Sequence, residues 1–231
     1  MFLRQRATQA EFCDQQNLPL EIVASNYRQL ARFNETMLVT DVFQRVLARW
    51  LGRDHVERLS ILDLGAGDGW IGQTITAWAA DRGWIWRVTN LDLNPSALGL
   101  GPHPRNVAAS VCALPFRDNS FDAVIASQMA HHLTDAETVA HFREAWRVTG
   151  DALFLADTHR NRAALLVIWA VLKRMRATPE FLADGLQSVR RGWRVGEWRR
   201  LAAQAEIPNP RVWLAYGSRV MLQARKTRPS T

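Results

Sequence analysis

The sequence predicts an α/β fold: a mostly parallel seven-stranded sheet with helices on both faces and a C-terminal antiparallel hairpin. Three observations predict it. Short apolar runs alternate with helical patterns from residue 59 to 157, the rhythm of strand–helix–strand units that build a parallel sheet. Glycines follow the first of those runs at once, where an open parallel sheet turns from strand to helix beside its ligand crevice. The last two runs, 212–215 and 219–224, are separated only by Tyr216-Gly217-Ser218, a hairpin spacing.

Each element has its own local signal. Residues 20–33 and 36–51 read as helices, the second with Met37, Val42, Phe43, Val46, Leu47 and Trp50 at helical spacing and Gly52 as its stop. Leu59–Leu64 is a short apolar strand, and Trp70–Arg82 is a helix. Trp84–Asp92 is a strand with β-branched and aromatic content, followed by a short helix over Asn94–Leu100. Asn106–Val111 and Phe121–Ser127 are the third and fourth strands. Thr134 with Glu137 three residues on is a capping box, which opens a helix to Val148. Ala152–Asp157 is the fifth strand and Arg162–Arg176 a strongly apolar helix. Residues 177–194 read as irregular, because Pro179, Gly185 and Gly192 interrupt them; Val195–Ala205 is the final helix. The whole is a Rossmann-like arrangement, with a helical N-terminal cap over 1–54, a main domain over 55–231 and a lid-like insertion at about 160–200.

Composition narrows the classes. The chain has 231 residues, 48% of them hydrophobic and 22% charged, enough for a substantial core. Cys13 and Cys112 have no metal-ligand spacing and make no disulfide framework, which points to a reducing, cytoplasmic setting. No sequence spacing suggests a metal cluster. The N-terminus has no apolar signal core, and the longest apolar run is Ala163 to Leu172, short of the ~20 residues that span a bilayer. Net charge is +7, carried by 27 Arg and two Lys among 29 bases, and the excess lies after residue 150. Nucleic acid is not expected as a partner, since no basic block with interleaved aromatics appears. The helix at 162–173 is apolar on every face. It is expected to pack on the sheet beside the fifth strand and partly wall the ligand crevice. Contact with an anionic membrane through Arg174, Arg176, Arg190, Arg191 and Arg194 is the less favoured alternative. The expected state is a monomer or homodimer.

The chemistry begins at Ile61-Leu62-Asp63-Leu64-Gly65-Ala66-Gly67-Asp68-Gly69. Gly67, Gly69 and Gly72 spell the G-x-G-x-x-G of dinucleotide sites; Gly65, Gly67 and Gly69 spell G-x-G-x-G. Charge separates the two readings. A pyrophosphate here would stand beside Asp63 and Asp68, and two like charges 4 Å apart cost ~4 kcal/mol at an effective dielectric of 20. S-adenosylmethionine instead brings a sulfonium and an ammonium. Asp92, 29 residues after Asp63, can accept from both hydroxyls of a ribose. That supports adenosine binding without choosing the cofactor.

ILDLGAGDG, NLDLNPSAL and ALPFRDNSFDAVIASQMAHHL together resemble the class I S-adenosylmethionine-dependent methyltransferases, over roughly residues 55–158. The style is nearest the small-molecule branch related to the ubiquinone and menaquinone methyltransferases. The resemblance implies that Asp63, Gly65, Ala66, Gly67 and Gly69 surround the methionine and ribose of the cofactor, and that Asp92 with Leu93 takes the ribose side. Ser110 stands where the family often has an acid for the adenine amine; Val111 would offer its backbone N–H to the ring. Ser127 and Gln128 would line the methionine end. The Pro-Gly-Gly turn often found before the fifth strand is replaced by Thr149-Gly150-Asp151.

Methyl transfer needs positioning and water exclusion first, and a base only for a weakly acidic acceptor. His131 and His159, after the fourth and fifth strands, are the candidate catalytic groups; His132 reads as a packed or hydrogen-bonding residue, and Asp157 equally as a group orienting a histidine or as a cap of the next helix. Trp78, Trp84, Trp86 and Trp146 read as core. Trp193 and Trp198, near Arg190, Arg191 and Arg194, read as surface packing, with an aromatic lid over a flat acceptor as the alternative. The expected acceptor is a small apolar or aromatic molecule, methylated on oxygen first and on carbon second. The alternatives are an RNA or protein methyltransferase and an inactive cofactor-binding partner subunit.

Overall fold

The computed structural model describes residues 3–15, 17–54, 57–101 and 105–226, with the side chains of 50–54 left out. Its centre is one sheet of seven strands: β1 (Arg58–Leu64), β2 (Ile85–Asp92), β3 (Asn106–Ala108), β4 (Phe121–Ser127), β5 (Thr149–Thr158), β6 (Arg211–Ala215) and β7 (Arg219–Arg225). Their order across the sheet is β3-β2-β1-β4-β5-β7-β6. The first five run parallel; β7 pairs antiparallel with β5, and β6 with β7. The chain reverses direction across the sheet between β3 and β4, so β1 and β4 are neighbours and their carboxyl ends flank a crevice.

The strands are apolar on both sides because both sides are covered. Leu62, Leu64, Val124, Leu153, Leu155 and Leu222 face one core, and Leu59, Ile61, Ile125, Phe154 and Met221 the other. The first core is closed by α5 (Asp135–Val148) and α8 (Val195–Gln204), which bring Phe142 edge-on to Trp198 with ring centroids 5.4 Å apart. The second is closed by α2 (Val39–Asp54) and α3 (Trp70–Ala80), through Val42, Phe43, Leu47, Ile75 and Ala79. The helix α2 runs through Gly52 to Asp54 instead of ending there; Trp50, on the expected stripe, lies outside the described side chains. Trp78, Trp84 and Trp86 form a cluster at 5.5–5.9 Å on this side.

Several local expectations change. The third strand stops at Ala108, because Ser110 accepts from the Cys112 N–H (3.2 Å) and turns the chain. Residues 177–194 are not irregular: α7 spans Pro179–Arg191. Each supposed breaker has a helical use. Thr178 caps the Phe181 N–H, and Pro179 fills the first turn, where its missing N–H costs nothing. A side chain at Gly185 would meet Leu172 Cδ1 at 2.6 Å, so its smallness lets α6 (Arg162–Arg174) approach. Gly192 ends the helix.

The position of α6 is also different from expectation. It buries Ala164, Ile168 and Leu172 against α7 and α1 (Leu20–Thr36) rather than against the sheet. Its outer face leaves Leu166, Val167 and Trp169 exposed. No helix among the described residues is long and apolar enough to cross a membrane. Arg191, expected as an exposed basic flank, is buried.

Trp193 and Trp198 do not form a lid. Both are fully buried in the first core. Trp193 bridges to His159 beside β5: its N–H donates to the Thr158 carbonyl at 2.9 Å, and its carbonyl accepts from the Arg160 N–H at 3.0 Å. The Arg6 guanidinium lies over its ring at 3.4 Å from the centroid. Trp198→Ala should therefore act as a core deletion, costing ~3–5 kcal/mol. We expect a cooperative thermal transition lowered by more than about 6 °C, and a midpoint within about 1 °C of the parent would contradict the burial described.

Candidate functional site

The site is built at the carboxyl ends of β1, β2 and β4. Leaving β1, the chain enters a loop whose three glycines all have left-handed backbones: Gly65 (φ 68°), Gly67 (φ 58°) and Gly69 (φ 78°). The loop is stitched to the end of β2. Gly65 and Ala66 both donate to the Leu91 carbonyl (2.8 and 3.0 Å), and Gly67 donates to Asp92 Oδ2 (2.8 Å). Gly69 donates to the Ala66 carbonyl (2.9 Å) and Trp70 to Asp68 Oδ1 (3.1 Å). Five amides that could have cradled a phosphate already have acceptors within the protein.

Asp63 sits beneath this loop, 1% exposed. Its Oδ2 is buried with no hydrogen-bond partner. Burial, then the charges of Asp92 and Asp68, push its carboxyl up to about 8, against a smaller opposing contact from the Gly72 amide. At neutral pH the unliganded group therefore keeps its proton, and a cation arriving beside it would favour its ionised form. Asp92 is different: Oδ2 accepts from Gly67 and Oδ1 from the Asn94 N–H (2.8 Å). Each oxygen keeps a lone pair, so the carboxylate can still accept from two neighbouring hydroxyls. A buried acid that a cation can ionise, beside a hydroxyl-accepting carboxylate, suits a ligand with a cationic head and a sugar.

Other expected positions fall around these two. Leu93 is 74% exposed, a solvent-facing residue at the end of β2. Ser110 is half-buried with its hydroxyl engaged by Cys112 N–H; Val111 is buried, and its backbone contacts the buried imidazole of His141. Burial lowers His141 to about 4, so it is neutral. Ser127 is buried at the end of β4, and Gln128 follows with a left-handed backbone (φ 54°). Gln128 donates its side-chain amide to Asn34 Oδ1 at 3.0 Å.

Asn34 belongs to α1, and α1 supplies residues that the sequence reading missed. Tyr27 covers the loop: a side chain on Gly67 would meet Tyr27 Cε1 at 2.4 Å. Burial, with Asp92 and Asp68 adding, raises the Tyr27 hydroxyl above its ordinary value. Tyr27 and Asn34 are seven residues apart and so share one helix face. That spacing was the only sequence signal available for them.

The histidines stand at the ends of β4 and β5. His131 is buried in a 3-10 turn (Ala130–His132). Its Nδ1 donates to Asp157 Oδ1 (2.6 Å) and its backbone N–H to Asp157 Oδ2 (2.8 Å); its Nε2 lies 3.6 Å from Glu11 Oε1. Burial opposes ionisation of Asp157, but His131 and the amides of Thr158 and His131 outweigh it and hold this carboxyl below its usual range. Burial pushes Glu11 up to about 7. His159 is half-buried. Asn161 caps α6 through Oδ1, which accepts from the Ala164 N–H (2.7 Å), so its amide nitrogen donates to His159 Nδ1 at 2.7 Å. The Nδ1 lone pair is therefore taken, and burial followed by Arg194 and Arg160 lowers His159 and keeps it neutral. The structure thus gathers Asp63, Gly65, Ala66, Gly67, Gly69, Asp92, Ser127 and Gln128 around one crevice. His131 is turned away from it toward Glu11, a residue the sequence reading did not connect to it.

Comparison with known proteins agrees with this geometry. A family model described as a methyltransferase domain matches residues 62–152, the stretch from β1 to β5. No curated protein matches the chain in sequence. Among solved structures, an S-adenosyl-L-methionine-dependent methyltransferase, so described by assignment, from Methanococcus maripaludis shares the fold with a TM-score of 0.61 and 13% identity, covering 96% of this chain and 99% of that one. Magnesium protoporphyrin IX methyltransferase from Synechocystis with bound SAH gives 0.52 and 15%, covering 81% and 83%. A protein assigned as an O-methyltransferase from Nostoc punctiforme gives 0.55 and 15%, covering 85% of this chain; this chain spans 59% of its length. At such identities the likeness is one of fold.

The Asp63 carboxyl yields a pH prediction. Its value is about 8 in the folded chain against 3.8 ordinarily, so between those pH values the folded state holds a proton that the unfolded state has released. Its contribution is fully present below about pH 4 and is lost as pH rises through about 8. In the ligand-free protein, Asp63→Asn should flatten this decline and stabilise the fold at pH 8 by ~1–3 kcal/mol. Denaturant titrations across that pH range measure it; a variant as pH-sensitive as the parent would show that Asp63 is not the titrating group.

Proposed function

We propose that the chain transfers the methyl group of S-adenosylmethionine to a small apolar or aromatic acceptor, with oxygen as the first candidate atom and carbon the second. S-adenosylmethionine is the cofactor, and the chain is a methyltransferase dependent on it. The observation that carries this reading is the buried, unpartnered Asp63 Oδ2 under a loop whose amides already have acceptors. A dinucleotide needs those amides for its pyrophosphate, which would meet Asp68 as a like charge and brings no cation to meet Asp63. The cofactor's ammonium supplies the charge that Asp63 lacks, and its ribose finds the two open lone pairs of Asp92. The fit extends to Ser110 and Val111 on the adenine side and to Ser127 and Gln128 toward the methionine end. The ubiquinone and menaquinone type of small-molecule methyltransferase remains our proposed branch, supported by the motifs around Asp63, Asp92 and His131. The free thiols Cys13 and Cys112 support a reducing, cytoplasmic compartment.

When bound, the cofactor presents an activated methyl on a sulfonium whose departure needs no acid. The protein's part is to bind, orient and keep water out. Tyr27 and Asn34 of α1 close the crevice from above, and Gln128 is fixed by Asn34 at the methyl end. A phenolic acceptor would also need its proton accepted. His159 spends its Nδ1 lone pair on Asn161, and the Nε2 of His131 faces Glu11. In this reading neither histidine serves as the base, and catalysis rests on in-line alignment.

Calorimetry with S-adenosylhomocysteine should give a micromolar dissociation constant, ~8 kcal/mol of binding free energy. NAD should give no heat. Asp92→Ala should weaken binding tenfold or more, since bonds to a charged acceptor are worth ~1.5–3 kcal/mol. Tight NAD binding with no response to S-adenosylhomocysteine would sink the reading. Methyl transfer from labelled cofactor across a panel of phenols and carbon nucleophiles then decides between oxygen and carbon.

A further inference from the structure

The segment before α1 wraps across the far side of the β4 and β5 loops. Phe12–Asp14 form a 3-10 turn, with the Phe12 and Cys13 amides donating to Asp184 of α7 at 2.6 and 3.0 Å. This brings Glu11 against His131. Glu11 is 5% exposed; Oε2 accepts from the Ser188 hydroxyl at 2.9 Å, while Oε1 is buried without a hydrogen bond. His131 Nε2, whose lone pair is free because Nδ1 donates to Asp157, points at that oxygen from 3.6 Å. His132, the next residue, stacks obliquely on His131 with ring centroids 4.2 Å apart. One ligand atom from each of Glu11, His131 and His132 lies within 4.8 Å of the others.

We propose that Glu11, His131 and His132 form a binding site for a divalent first-row transition cation of the zinc type, which pins the N-terminal segment to the end of β4. Two imidazoles and one carboxylate suit such an ion by donor type. Bonds of ~2.0–2.2 Å in a tetrahedral arrangement set ligand atoms roughly 3.3–3.6 Å apart. The Glu11–His131 pair is already at 3.6 Å, and the half-buried His132 supplies the third donor atom within 4.8 Å of both. Asp157 is the outer partner: accepting the Nδ1 proton fixes the tautomer of His131 and orients Nε2 toward the ion.

Charge allows it. Arg191 lies on the other side of the cluster, 2.6 Å from Asp14 Oδ2 and 3.6 Å from Glu11 Oε1, and is matched by Asp14. Asp14 also lies 2.7 Å from His132 Nδ1. Glu11 and Asp157 remain, two carboxylates around two imidazoles, the complement of a dication. Sequence spacing hid the set because Glu11 is 120 residues from His131.

The test uses the full chain, stripped with chelator and titrated with zinc alone. We expect one ion per chain, with micromolar or tighter affinity. Glu11→Gln, close in shape, and His131→Ala should each weaken binding at least a hundredfold, with far-UV circular dichroism checking the fold. Cys13→Ser should bind as the parent does, because the nearby thiol is not a proposed ligand. Cobalt in the unaltered protein gives a reading that needs no variant: a visible ligand-field band without a thiolate charge-transfer band. Failure to bind zinc, binding unchanged by Glu11→Gln, loss of binding in Cys13→Ser, or a thiolate band with cobalt would each overturn the proposal. S-adenosylhomocysteine binding is measured separately on the stripped protein, so failure of the cation site leaves the cofactor reading standing.

Discussion

Keeping carboxylates dry at the carboxyl end of the parallel sheet is the constraint on which the rest of the site depends. Three strands carry an acid at or one residue before their carboxyl end: Asp63 in β1, Asp92 in β2 and Asp157 in β5. The three resolve the cost in different ways. Asp157 receives the His131 ring and two amides and is held charged. Asp92 receives two loop amides and retains capacity for more. Asp63 receives too little, and Oδ2 is left without a partner. Unmet demand of that kind is the physical content of a binding site, because the next group to arrive gains what the fold withheld.

The helical layer above the sheet is organised around the same loops. Tyr27 rests where no side chain on Gly67 could fit, and Asn34 holds Gln128. The loop glycines therefore serve two ends. They allow the left-handed turns that direct five amides into the protein, and they leave room for an aromatic ring directly above.

Much of this was legible in the sequence. Runs such as Val124–Ala126 and Leu153–Ala156 are apolar without interruption because helices cover both faces. Asp63, the glycines and Asp92 were legible because they lie close together along the chain and act through a local turn. What was hidden was mostly non-local or ambiguous in type. Pro179, Gly185 and Gly192 have the same appearance in a loop as at a helix start, a helix contact and a helix end. Trp193 and Trp198 look like surface residues until Phe142 and Arg6, from distant parts of the chain, are brought against them. Glu11 and Tyr27 carry no motif; only the closed chain gives them partners.

The wrap of the N-terminal segment has a consequence for how the molecule comes into being. Arg6 donates to the carbonyls of His131, Leu133 and Arg191, Ala7 to that of Arg190, and Leu3 accepts from Arg160 and Arg194. These residues precede most of their partners by more than a hundred positions, so they can be secured only after those partners are made. Residues 3–7 must therefore dock after β5, α6 and α7 exist. Until then Trp193's ring lacks its cationic cover and His131 its acidic neighbour. Closure over so long a span is slow compared with local helix formation. During synthesis the sheet can therefore assemble its first four parallel strands before the N-terminal segment is secured.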